Sequence, residues 1–98
     1  MIEGLNKAFE SRVRLGIMAV LVVNDRVEHN TLKQLLEVTD GNLASHIAAL
    51  VNAKYVQVQK RFVGNKPNTA YKATAAGSRA FQAHLDAMDR LLKRDLRQ

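Results

Sequence analysis

Lys54, Lys60, Arg61, Lys66, Lys72 and Arg79 fall in a stretch from Gly41 to Leu85 that contains no Asp or Glu. The other nine Lys and Arg are matched by nine acids, so the whole formal charge of +6 resides in this one window. The chemistry open to such a segment is phosphate neutralisation. Each cation laid against a polyanion releases condensed counterions, whatever the polyanion's sequence. A cationic surface serving solubility alone would have the same composition, so the place of these charges on the fold decides between the two readings.

Other chemistries lack their residues. Cysteine is absent, which removes disulfides, thiolate metal sites and thiol nucleophiles and fits a reducing compartment. The three histidines, His29, His46 and His84, fall in different segments with no i, i+4 pair, so no metal site is expected. His46 borders an apolar helical face and is expected to pack there rather than touch a base. Gly64 lies in a turn with no Gly-Lys-Ser/Thr phosphate cradle around it. No paired carboxylates share a helix face with a His and no nucleophile motif occurs, so neither an enzyme nor a cofactor is expected. The longest apolar run, Ile17 to Val23, has seven residues, whereas a membrane span needs about 20. The amino terminus does not read as a secretory signal, and the cytoplasm is the expected compartment.

Elements must position those cations. Ninety-eight residues with five aromatics suit one domain with a modest core, and the apolar residues recur mostly at helical spacing. The pattern predicts an N-terminal helix region over 1–24, from Ile2 or Leu5 to Val23 with a break near Ser11. A small strand at Val27-Glu28-His29 should follow, then a brief helix capped by Asn30 or Thr31 with Leu32, Leu35 and Leu36 on one face. The turn residues Thr39-Asp40-Gly41-Asn42 precede a helix starting at Asn42 or Leu43, with Leu43, Ile47 and Leu50 inward and Ser45, Ala48, Ala49 and Asn52 outward. The helix-turn-helix therefore occupies 31–53. Tyr55 to Lys60 alternates with period two, Gly64 to Asn68 is a strong turn, and Thr69 to Ala73 returns, making a hairpin over 55–73. Thr74 is placed to cap a last helix over 75–94, whose stripe of Phe81, Leu85, Met88, Leu91 and Leu92 is too wide for so small a domain to cover.

This order predicts one domain over 1–98, mainly α with a small β-hairpin (α+β): a winged helix-turn-helix with a long C-terminal dimerisation helix. In such an arrangement the third helix enters the major groove and the hairpin tip, the wing, reaches backbone or minor groove. Residues from about Phe9 to Leu92 resemble the one-domain winged-helix transcriptional regulators related to the MarR and ArsR groups. The resemblance is carried by Arg14-Leu15-Gly16-Ile17-Met18, by Thr39-Asp40-Gly41-Asn42-Leu43-Ala44-Ser45-His46-Ile47, by Asn52-Ala53-Lys54-Tyr55-Val56 and by Thr74-Ala75-Ala76-Gly77. Thr39 to Val56 is its most specific part. It implies a homodimeric regulator that binds double-stranded DNA sequence-specifically.

On this reading Asn42, Ser45, Ala49 and Asn52 form the recognition surface, with Asn42 capping its helix or meeting phosphate. Lys60, Arg61, Lys66 and Lys72 hold phosphates from the wing, and Phe81, Leu85, Met88, Leu91 and Leu92 pair two copies. Two departures from the family pattern stand out. Ser45 lies where members often carry Arg or Lys, which removes a bidentate guanine contact and shifts weight to the wing. Lys54 replaces a usual helix-exit glycine, and is either a strained structural lysine or a candidate phosphate contact. A duplex is favoured over a single strand because at least two of Tyr55, Phe62 and Tyr71 are expected in the core, leaving no stacking platform. Any small effector would have to sit at the dimer interface or between the last helix and the turn unit. The competing reading is a winged-helix protein-interaction module without DNA specificity of its own.

Overall fold

Ser11 decides where the first long helix begins. Its backbone is extended and its hydroxyl accepts from the Arg14 N–H at 3.3 Å, so helix α1 runs Arg12–Leu21. The computed structural model describes residues 2–94. Upstream of Ser11 the expected helix is not formed. Gly4 adopts a positive φ of 93°, which no helix accommodates, and only the 3-10 turn Lys7–Phe9 follows, capped by Asn6. The break foreseen near Ser11 is therefore the true start of the helix. At its other end α1 stops short of Val23, and the Asn24 side chain donates to the Val20 carbonyl at 2.8 Å.

Strand β1, Val27–Glu28, pairs with the second wing strand through Val27–Tyr71 and Glu28–Ala70. That pairing keeps the chain extended to Glu28, so helix α2 starts at once and spans His29–Leu36. Its cap position is Glu28 rather than Asn30 or Thr31. No side-chain cap bond forms there, and the Glu28 carboxylate accepts from Asn68 instead. Helix α3 spans Asp40–Asn52, two residues earlier than Asn42, because Thr39 is the cap and its hydroxyl accepts from the Asn42 N–H at 3.1 Å. Asn42 is thus a first-turn residue and not the cap.

Strands β2, Val56–Val63, and β3, Lys66–Ala73, form a hairpin longer than the sequence pattern suggests. Of the expected turn Gly64–Asn68 only Gly64 and Asn65 remain outside the strands. A two-residue loop with its positive φ on the first residue, here Gly64 at 64°, follows the twist of the strands it joins. The sheet order is β1-β3-β2, antiparallel throughout. Helix α4, Ala75–Leu92, closes the chain, its first turn capped by the Thr74 hydroxyl.

Ile17, Met18, Leu21, Leu32, Leu43 and Leu50 are fully buried where α1, α2 and α3 meet, each contributing roughly 1.5–3 kcal/mol of burial. Phe9 joins this core to α4, its ring 5.4 Å from Phe81 edge to face and 5.5 Å from Tyr55. His84 is buried beside it, and its Nδ1 accepts from the Asn6 N–H at 2.9 Å. Among the described residues no helix is long and apolar enough to cross a membrane.

Candidate nucleic-acid interface

Three fully or nearly buried residues on one side of α3, Leu43, Ile47 and Leu50, fix which side is presented outward. Gly41, Ala44, Ser45, Ala48 and Asn52 are exposed, whereas Ala49 and His46 are half-buried. At 100° per residue Ser45 and Asn52 lie farthest from the core, flanked at nearly equal angles by Ala48 and Ala49, of which Ala49 is half-buried. Of the residues expected at base edges, Ser45 and Asn52 are thus the best placed. No Lys or Arg occurs in α3.

Ala44, Ala48, Val51 and Asn52 wall one side of a cleft of about 600 Å³, and Val58, Lys60, Pro67, Thr69 and Tyr71 of the wing wall the other. Strand alternation sorts the expected wing cations into two sets. Lys60 pairs with Thr69 and shares its face with Val56 and Val58, toward α3. Arg61 pairs with Asn68, Lys66 with Val63 and Lys72 with Gln57, which puts these three cations on the opposite face. All four are exposed. Of these four cations only Lys60 lines the cleft with α3. Helical periodicity alone could not give this division, which follows from the strand register.

At one end of the cleft His29 joins three elements. Its Nδ1 lies 2.6 Å from the Tyr71 hydroxyl on β3, and its Nε2 lies 2.9 Å from Asp40 Oδ1 at the start of α3. Burial, helped by the charge of Asp40, pushes the Tyr71 phenol up, so it keeps its proton and can donate to Nδ1. Nε2–H then donates to the carboxylate. Lys33 Nζ is also 3.2 Å from Asp40 Oδ1. Hydrogen bonding from His29 first, and the Lys33 ammonium second, hold the Asp40 carboxyl below its ordinary range. A second tie crosses the sheet. Arg26 donates to Gln59 at 3.1 Å and to Asn68 at 2.9 Å, and Asn68 donates to Glu28 at 3.0 Å. Sequence spacing pointed to neither tie, since their partners are about 10 to 40 residues apart and meet only through the packing of α2 on α3 and the strand register.

The exit of α3 explains two family-like segments together. Lys54 takes a left-handed φ of 70°. The Tyr55 N–H reaches the Leu50 carbonyl and the Lys54 N–H reaches the Val51 carbonyl, both at 2.9 Å, the paired bonds of a Schellman termination. The Thr74 hydroxyl donates to the Lys54 carbonyl at 2.7 Å while also capping α4. A Cβ on Gly77 would lie 2.2 Å from the Tyr55 carbonyl oxygen, so this close approach of α4 requires glycine. Lys54 is an exposed lysine in a strained, left-handed conformation at this junction.

On α4, Phe81 is spent in the chain's own core, and Leu91 is half-buried. Leu85 and Met88 stay 41 % and 42 % exposed and Leu92 80 %. With Leu15 and His84 they line an apolar groove of about 330 Å³. Among the described residues no three His, Asp or Glu side chains converge as metal ligands.

Residues 13–92 match the model of a family described as winged helix DNA-binding domain. The chain is 35 % identical over 79 residues to an uncharacterized protein of Methanocaldococcus jannaschii, spanning 81 % of this chain and 86 % of that one. A transcriptional regulator homologue protein from Pyrococcus horikoshii has the same fold at a TM-score of 0.81 and 27 % identity, over 87 % of this chain and 84 % of its own. The DNA complex of MepR from S. aureus aligns at a TM-score of 0.69 and 12 % identity, over 91 % and 68 %.

Proposed function

We propose, from the premise that this chain belongs to the family of winged helix DNA-binding domains, that it is a transcriptional regulator that binds duplex DNA sequence-specifically as a homodimer. In this reading α3 lies in the major groove. Ser45 and Asn52 meet base edges, Asn42 meets phosphate near the helix start, and small Ala48 lets the backbone come close. Lys60 faces phosphates beside α3, while Arg61, Lys66 and Lys72 hold the backbone from the other face of the wing. The observation that carries the reading is an outward helical face made of small and hydrogen-bonding residues, next to a hairpin with four exposed cations and no acid.

A protein-interaction module is the second reading, favoured by the lack of any Lys or Arg in α3. Ser45→Glu decides between them. The position is exposed, so stability should hold within about 0.5 kcal/mol, while a carboxylate set against phosphates should abolish the shift of any duplex the parent selects from a random pool. With four wing cations on each of two copies, about eight phosphate contacts, the parent's log-log salt slope should be about −7. Unchanged affinity of the variant would take α3 out of the groove and leave the protein-interaction reading in front.

A further inference from the structure

We propose, resting on the DNA reading above, that the wing tip is an apolar wedge that enters the minor groove, unstacks a base step and bends the bound duplex. Phe62 is 73 % exposed and Val63 55 % exposed, at the end of a hairpin whose turn glycine, Gly64, is so open that an added Cβ would meet nothing beyond its chain neighbours within 4 Å. An aromatic ring so far from the core adds nothing to it, and exposed strand ends are ordinarily blunted by polar residues.

The register makes the tip a blade with cations behind its edge on both faces. Phe62 pairs with Pro67, and Lys60 lies two residues back on that face; Val63 pairs with Lys66, and Arg61 lies two residues back on the other. A minor groove is walled by two phosphodiester strands, one along each face of an inserted hairpin. Cations on both faces match that double line of negative charge, whereas a protein docking on an apolar patch would meet one face.

The groove is about 6 Å wide, and a β-layer with side chains on both faces is about 10 Å thick, the spacing at which sheets stack. The tip therefore fits only where the groove opens. An apolar side chain between base pairs opens it, kinking the duplex toward the major groove by about 20–90°. Asn65, beside Gly64 in the turn, can donate to acceptors on the groove floor. Unstacking is easiest at TA and CA steps, so the wing would select such a step by its deformability rather than by hydrogen bonds.

The test uses duplexes of about 25 base pairs, selected by the protein from a random pool, end-labelled for energy transfer and carrying 2-aminopurine at single steps. The parent should bring the ends closer and raise the 2-aminopurine signal at one step in each half-site. Phe62→Ala should lose both effects, bind about tenfold more weakly and keep the parent's salt slope. Lys66→Ala should keep the bend while its salt slope becomes shallower by about two units, one for each copy. Phe62 and Lys66 are exposed, so matched thermal melts are expected for all three proteins. A parent that binds its duplex without bending it overturns the proposal. So does Phe62→Ala bending as the parent does, even if that variant loses a protein partner. A parent that holds no duplex at all removes the DNA reading, and the wedge with it.

Discussion

At position 54 the backbone asks for glycine and the chain supplies lysine. The Schellman bonds at the end of α3 fix a left-handed conformation there, which costs an L-residue about 1–2 kcal/mol, partly offset by the greater freedom glycine has when unfolded. Lys54→Gly should therefore raise stability by about 0.5–1 kcal/mol, read from urea melts. If the ammonium holds a phosphate, the same variant should show a salt slope shallower by about two units, one for each copy of the dimer. A rise in stability with no change in slope would assign Lys54 to structure alone. Asp40 offers a separate test. Its carboxyl is held below the ordinary 3.8 by the His29 hydrogen bond and by Lys33. A carboxyl whose folded pKa is depressed contributes stability above its unfolded pKa and loses it as pH falls through the folded value. The stability gap between the parent and Asp40→Asn should be present above about pH 4 and close as acid is added below it. A gap that persists at about pH 2 would show that the substitution acts through something other than this carboxylate.

Between elements, the approach of α4 to the exit of α3 leaves least room for change. Tyr55 and Gly77 touch backbone to backbone, and a methyl group 2.2 Å from a carbonyl oxygen can be relieved only by moving α4 or reopening the exit. Gly77→Ala should cost about 3 kcal/mol or more, although alanine is the better helix former; a thermal melt at or above the parent's would disprove the contact. The sequence announced this junction only as a run, Thr74-Ala75-Ala76-Gly77, resembling the opening of a family helix. The geometric reason lay at Tyr55, beyond what local pattern could reach. Element order, the buried face of α3 and the capping role of Thr74 were legible because each repeats at a period or ends at a residue with a known local preference. Helix starts were less so. Asn30, Thr31 and Asn42 were all credible caps, and Glu28 and Thr39 took the cap positions because strand pairing and the turn fix where the chain stops being extended. The four wing cations were legible as a set. Alternation along one strand separates Lys60 from Arg61, but that Lys66 and Lys72 share the Arg61 face was not legible, since it depends on a hairpin register set by the two-residue turn.

The whole molecule is longer than its length in residues requires. A compact domain of about 100 residues has a radius of gyration of about 13 Å, and this chain has 15.4 Å with a longest extent of 65 Å. Helix α4 leaves a stripe of apolar surface uncovered, at Leu85, Met88 and Leu92. A second copy laid along that groove would bury it by two-fold symmetry and fix the distance between the two recognition helices. About 34 Å, one turn of DNA, would let both enter the same side of a duplex. Leu85→Glu combined with Met88→Glu should leave each domain folded, since both side chains are substantially exposed already, and should convert a dimer in sedimentation at micromolar concentration into a monomer. Binding to a duplex with one half-site should be little changed. Binding to two correctly spaced half-sites should fall by about 10²-fold or more, because the second contact is no longer intramolecular. A parent that sediments as a monomer would remove the dimer. A double variant that loses both sites equally would place these residues in folding rather than in pairing.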